Sequence, residues 1–171
     1  GLLDSRVETA TASAMIFAII FGADLFNVAL ALTRIPTLAA GWLQSADIAP
    51  MLILLVLIGF YLVMGCIIDS LSMILLTVPV CFPAFMVLDF GMTELHQAMW
   101  FGIISLIVVE LGMITPPVGL NLFIISALAP EIKTRHIFRG VVPFIAAEFI
   151  RIALVVMIPA TTYWLVDLVM P

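Results

Sequence analysis

Between Gln97 and Pro130 runs a stretch of 34 residues with a single charge, Glu110, and near its middle stands Gly112-Met113-Ile114-Thr115-Pro116-Pro117-Val118-Gly119-Leu120-Asn121. As one straight helix the stretch would reach about 51 Å, well past the ~30 Å hydrocarbon core of a bilayer. The prolines resolve the excess. Each lacks an amide hydrogen and disfavours helix in the residue before it, so the pair forces extended backbone, flanked by Gly112 and Gly119. The reading is two half-helices joined by unwound chain.

Bilayer rather than water is the solvent implied by the rest of the chain. Of its 171 residues 65% are hydrophobic and only 10% charged, with a mean hydropathy of +1.34, whereas soluble domains carry about a quarter charged residues. A soluble core buries only part of such apolar surface. The class is therefore an all-α integral membrane protein covered by lipid. Six scattered basic residues and a net charge of −5 exclude a nucleic-acid surface. Cys66 and Cys81 sit in apolar runs without metal-ligand spacing and read as small hydrophobic fillers. The opening Gly1 to Arg6 lacks the basic region and cleavage site of a signal peptide, and a start on glycine leads us to expect a piece of a longer chain.

Five segments follow. In residues 1–47 a span from about Thr11 to Thr33, carrying Asp24 and Asn27, precedes an amphipathic interfacial arm from Arg34 to Asp47. In residues 48–88 two uncharged runs are separated only by Asp69-Ser70, too short a link for a loop reaching bulk water. A re-entrant hairpin is preferred there, because non-helical backbone at membrane depth must be satisfied by protein or a wet cavity. Two full spans return the chain to the same side, so topology alone does not separate the readings. Residues 89–130 hold the discontinuous helix. Residues 131–139 form a basic loop with Lys133, Arg135, His136 and Arg139, cytoplasmic by the positive-inside rule. Residues 140–171 are the last span, ending outside near Tyr163, Trp164 and Asp167, which puts the N-terminus in the cytoplasm and the C-terminus on the opposite side.

Ionisable groups at membrane depth cost about +2.5 to +3.5 kcal/mol each at a helix centre, so each needs a reason. Glu148 and Arg151, three apart, are expected to neutralise each other. Asp24 and Glu110 are candidate proton or cation ligands, with structural satisfaction equally open. Asp69 differs because it accompanies a turn. With Gly65, Ser70 and Ser72 it offers a carboxylate, hydroxyls and free carbonyls, the oxygen ligands hard cations prefer. The break offers a second set, the carbonyls from Gly112 to Thr115 and the Thr115 hydroxyl, with Asn121 beyond. Unwound carbonyls and half-helix C-termini coordinate Na⁺ in discontinuous helices, while half-helix N-termini face anionic groups. A plain kink and an exposed loop remain the ordinary readings of each motif alone. There is no phosphate loop, zinc-binding helix or nucleophile elbow, so neither an enzyme nor direct ATP coupling is expected.

The strings Gly112 to Phe123, Asp69-Ser70-Leu71-Ser72-Met73-Ile74-Leu75-Leu76-Thr77-Val78-Pro79 and Gly22-Ala23-Asp24-Leu25-Phe26 resemble the C-terminal half of the large membrane subunit of tripartite ATP-independent periplasmic (TRAP) transporters. The resemblance implies a bacterial inner-membrane carrier that uses Na⁺ as coupling ion, with no other cofactor. It would import an organic anion such as a C4-dicarboxylate or sialic acid. A periplasmic substrate-binding protein and a small membrane subunit are the implied partners, along with lipid and the missing N-terminal half of the same subunit. It further implies an elevator-type fold of the ion transporter superfamily, of which this chain would be one inverted-repeat half. On that reading Gly65, Asp69, Gly112, Thr115 and Pro117 form a Na⁺ site, and Ser70, Ser72 and Asn121 meet the substrate. A noncatalytic assembly subunit and a proton-coupled carrier of another family are the rival expectations.

Overall fold

A computed structural model of the chain describes residues 1–46, 48–116 and 119–169, and they form eight helices. Asp47 at the edge of the expected arm, and Pro117 within the expected Na⁺ site, lie outside the described residues. The first helix, α1 (Leu2–Thr33), has 32 residues and begins well before the expected Thr11. It passes at Arg34, whose φ of 56° places it in the left-handed region, into α2 (Ile35–Ser45), which carries Pro36 in its first turn. A proline there gives up an amide that has no intrahelical acceptor anyway.

Helices α3 (Pro50–Gly65) and α4 (Ser70–Met86) are joined by residues 66–69. At 16 and 17 residues they reach about 24 and 26 Å, short of a full hydrocarbon core. Both arms pack on α5 (Glu94–Ile114), which also touches α6 (Leu120–Leu128), α7 (Thr134–Met157) and α8 (Ala160–Val169). α5 is thus the hub. Its Trp100, Phe101, Ile104, Val108, Val109 and Leu111 are buried, and Phe85 and Phe90 stack around Trp100 and Phe101 at centroid distances of 5.0–6.0 Å. α1, α5 and α7 are long and apolar enough to cross a membrane. α1 and α7 expose large side chains such as Phe17, Phe21, Phe144 and Ile150, a surface suited to lipid.

Proline placement explains much of the inter-helix bonding. Inside α4, Pro79 has no amide hydrogen for the carbonyl of Leu75, four residues earlier. The Asn27 side chain of α1 donates to that carbonyl at 3.1 Å. Pro159 similarly deprives Val155, and the indole N–H of Trp100 donates to the Val155 carbonyl at 2.9 Å. Gln97, 5% exposed, donates through Nε2 to the carbonyls of Phe85, in the last turn of α4, and Leu88, just beyond it, both at 2.9 Å.

Two expectations need correction. The basic segment 131–139 is not a loop throughout, because α7 begins at Thr134 and takes in Arg135, His136 and Arg139. Those charged residues are acceptable helix formers, and polarity alone misled the reading. The last segment is not one helix either. α7 stops at Met157, Ile158 adopts φ −128° and ψ 74°, and α8 starts after Pro159. The residue before a proline is driven out of the helical region, the same rule that marks the Thr115 break. His96 then ties α8 to the start of α5, with Nε2 2.9 Å from Asp167 Oδ1 and its ring stacked on Tyr163 at 3.9 Å.

Candidate functional site

Helix α5 ends where its donors run out. The carbonyls of Gly112 and Met113 would be met by the amides of residues 116 and 117, both prolines without an amide hydrogen. Thr115 compensates with both of its donors. Its backbone N–H reaches back to Gly112 O at 3.1 Å and its hydroxyl to Leu111 O at 2.6 Å. Its own backbone is extended, with φ −92° and ψ 133°, as a residue before proline prefers. The chain re-enters helix after Gly119, whose φ of 59° suits a glycine, and Asn121 follows in the first turn of α6, half-buried.

The hairpin tip is built around Asp69. This residue caps α4, its Oδ1 accepting the Ser72 N–H at 3.0 Å and its carbonyl the Met73 N–H at 3.0 Å. One carboxylate oxygen therefore has a structural task, and the Ser72 hydroxyl and Leu71 N–H also lie against this carboxylate, which when ionised offers about four acceptor positions. Ser70 and Ser72 sit beside it in the first turn of α4, half-buried.

Tip and break meet through two glycines. A Cβ on Gly112 would stand 2.7 Å from the Cα of Gly65 and 2.9 Å from Leu62 O. A Cβ on Gly65 would stand 2.9 Å from Val109 O and 3.2 Å from the Cα of Gly112. Backbone thus lies on backbone at the point where α3 and α5 both end. The Cys66 thiol spans the remaining gap, with its sulfur 3.2 Å from Leu62 O and 3.6 Å from Thr115 O.

The structure groups the expected residues in three places. Gly65, Gly112 and Thr115 come together, joined by Cys66, Leu62 and Val109, which the sequence reading did not assign to the site. Asp69, Ser70 and Ser72 form a second group at the start of α4. Asn121 lies across the break on α6. A usable signal for the missed contacts was the pairing of one glycine at the end of each of two apolar runs. Asp24 and Glu110 are both exposed, and neither is among the hydrogen-bonded residues of this region. Glu148 and Arg151 form the expected ion pair, at 2.7 Å.

Electrostatically, two helix C-termini, those of α3 and α5, converge, each the negative end of a helix dipole worth about half an electron charge. The N-termini of α4 and α6 bring the opposite sign nearby. Among the described residues no three His, Cys, Asp or Glu side chains cluster as a metal site would need. The donors offered here are carbonyl and hydroxyl oxygens, the Cys66 thiol and a single carboxylate, and the oxygens among them are of the kind hard cations take.

Comparison with known proteins matches the family model described as tripartite ATP-independent periplasmic transporter, DctM component, over residues 2–161. The chain belongs to this family. Among its DctM-type relatives is the sialic acid TRAP transporter large permease protein SiaM of Vibrio cholerae, 28% identical over 98% of this chain and 38% of the relative. The C4-dicarboxylate TRAP transporter large permease protein DctM of Pseudomonas aeruginosa is 31% identical over 91% of this chain and 35% of its own length. The isethionate TRAP transporter permease protein DctMQ of Oleidesulfovibrio alaskensis is 30% identical, over 92% of this chain and 24% of its own length. The DctM-family chain therefore spans well under half of each of these permeases. No solved structure matches it significantly.

Proposed function

We propose that this chain is one inverted-repeat half of a TRAP transporter large permease subunit in a bacterial inner membrane, and that the complete permease takes up an organic anion, such as a C4-dicarboxylate or other carboxylate, using a Na⁺ gradient. The observation that carries the proposal is the backbone contact of Gly65 with Gly112, which sets the hairpin tip against the helix break. Converging C-termini of α3 and α5, the Thr115 carbonyl and hydroxyl, and the Asp69 carboxylate make a Na⁺ site. Pro117, two residues after Thr115 in the chain, belongs to the same segment. The N-termini of α4 and α6, with Ser70, Ser72 and Asn121, then face the carboxylate of the substrate. The short α3 and α4 form a re-entrant hairpin, and they move with α5 against a scaffold in an elevator-type cycle. The start of α7, and with it the N-terminus of the chain, lies on the cytoplasmic side, a reading supported by the positive-inside rule applied to Lys133, Arg135 and Arg139, which are exposed. The relatives named for sialic acid, C4-dicarboxylates and isethionate point to an anionic substrate.

The test is uptake into proteoliposomes containing the complete permease, the small membrane subunit and the substrate-loaded periplasmic binding protein. An inward Na⁺ gradient is expected to drive accumulation of a labelled carboxylate, and replacing Na⁺ by K⁺ to abolish it. Accumulation driven equally well by a proton gradient would overturn the Na⁺ assignment, and absence of uptake with all partners present would favour an assembly subunit.

A further inference from the structure

Helix α5 keeps one ridge uncovered although it is the hub of the fold. Ala98, Gly102, Leu106 and Glu110 recur every fourth residue, and the last three are exposed, Leu106 at 50%. A Cβ on Gly102 would meet nothing within 4 Å. Beside the ridge a groove of about 400 Å³ runs between Ile74, Val78 and Phe82 of α4 and Phe101, Gly102 and Ser105 of α5. Ser105 is 3% exposed and lines this groove, its hydroxyl set close to that of Tyr61.

We infer that this groove and ridge are the seat of a transmembrane helix from the same permease polypeptide, outside the 171 residues. Small residues four apart, Ala98 and Gly102, let a second helix come close, which is how helices associate where lipid removes the hydrophobic drive. The occupant lays a small or aliphatic face over them and brings a cationic or hydroxyl side chain to the exposed Glu110. Acyl chains offer no partner to that carboxylate. A second copy docking through the same ridge about a two-fold axis would bring the two Glu110 carboxylates toward one another, a like-charge arrangement. The relatives supply a source, since this chain covers only 38% and 35% of two of them. The inference rests on the reading that the chain works within a complete permease.

The experiment places the photoreactive residue p-benzoylphenylalanine at Leu106 of the complete permease, in membranes of cells grown as a mixture of ¹⁴N and ¹⁵N cultures before fusion and solubilisation. Cross-linked peptides are mapped by mass spectrometry. The expected product joins Leu106 to a peptide of the same polypeptide outside these residues, in isotopically pure pairs only, and Gly102→Leu lowers its yield to background. The same probe at Ile150, exposed on α7, is expected to yield lipid adducts. Lipid adducts at Leu106, mixed-isotope pairs from a second copy, or cross-links to the small subunit would each overturn the inference. Substrate uptake by the unmodified permease is measured in parallel. Uptake with lipid adducts at Leu106 refutes the docking face alone, whereas an intrachain cross-link without uptake refutes the transport reading alone.

Discussion

Replacing Gly112 by alanine tests the contact on which the candidate site depends. The added Cβ would stand 2.7 Å from the Cα and 2.8 Å from the carbonyl carbon of Gly65. Carbon atoms in contact prefer about 3.5–4.0 Å, so α3 and α5 must separate by roughly 1 Å. The obstructing atoms are backbone and cannot rotate away. Overpacking of this kind costs about 1–3 kcal/mol, and a backbone obstacle belongs at the upper end. Alanine recovers up to about 1 kcal/mol of helix propensity, leaving a net loss of roughly 2 kcal/mol. The control is Gly59→Ala in α3, where nothing lies within 4 Å of an added Cβ and propensity alone acts. Both variants would be unfolded from mixed micelles with increasing SDS, following tryptophan fluorescence. Gly112→Ala is expected to unfold at clearly lower SDS than the parent, and Gly59→Ala at equal or higher SDS. In the complete permease Gly112→Ala should also weaken Na⁺ activation, because it pulls Cys66 and the hairpin tip from Thr115. Equal midpoints for the two variants would refute the close-approach argument.

Asn27→Leu should destabilise by about 1–3 kcal/mol by orphaning the Leu75 carbonyl. In a Pro79→Ala background, which restores the missing amide, the penalty should shrink, and a double-mutant cycle without coupling would contradict this account. Trp100→Phe should lose about 1 kcal/mol through the Val155 carbonyl, and Pro159→Ala should offset part of that loss in the same unfolding assay. Asp69→Asn keeps a residue able to cap α4 but removes the charge. Unfolding is therefore expected to change little, while half-maximal Na⁺ activation of uptake moves to higher concentration. Unchanged Na⁺ activation would remove Asp69 from the cation site.

Much of this arrangement was legible in the residues. The membrane class follows from composition, because so few charges cannot solvate so much apolar surface in water. The interruption at Thr115 follows from two prolines, whatever their neighbours. The tight Asp69 turn is legible because a carboxylate and serines between apolar runs form a helix cap. The limits of α7 were not, since Arg135, His136 and Arg139 carry no sign that distinguishes an exposed helix end from a loop. The split at Ile158 was available by the rule already applied to Thr115, and the attractive length of the final run concealed it.

Prolines determine by covalent chemistry which carbonyls lose their helical partner, so Leu75, Gly112 and Val155 could be named as orphans from the sequence alone. Which donor answers each one is a matter of tertiary structure: Asn27 from another helix, Thr115 from the next turn, Trp100 from the hub. The same division holds at the candidate site. Gly65 and Gly112 are local facts, each compatible with a helix end. That they meet, and so bring two carbonyl-rich C-termini to one place, depends on the packing of α3 against α5 across residues far apart in the chain. Side-chain absence permits such an approach but does not specify its partner.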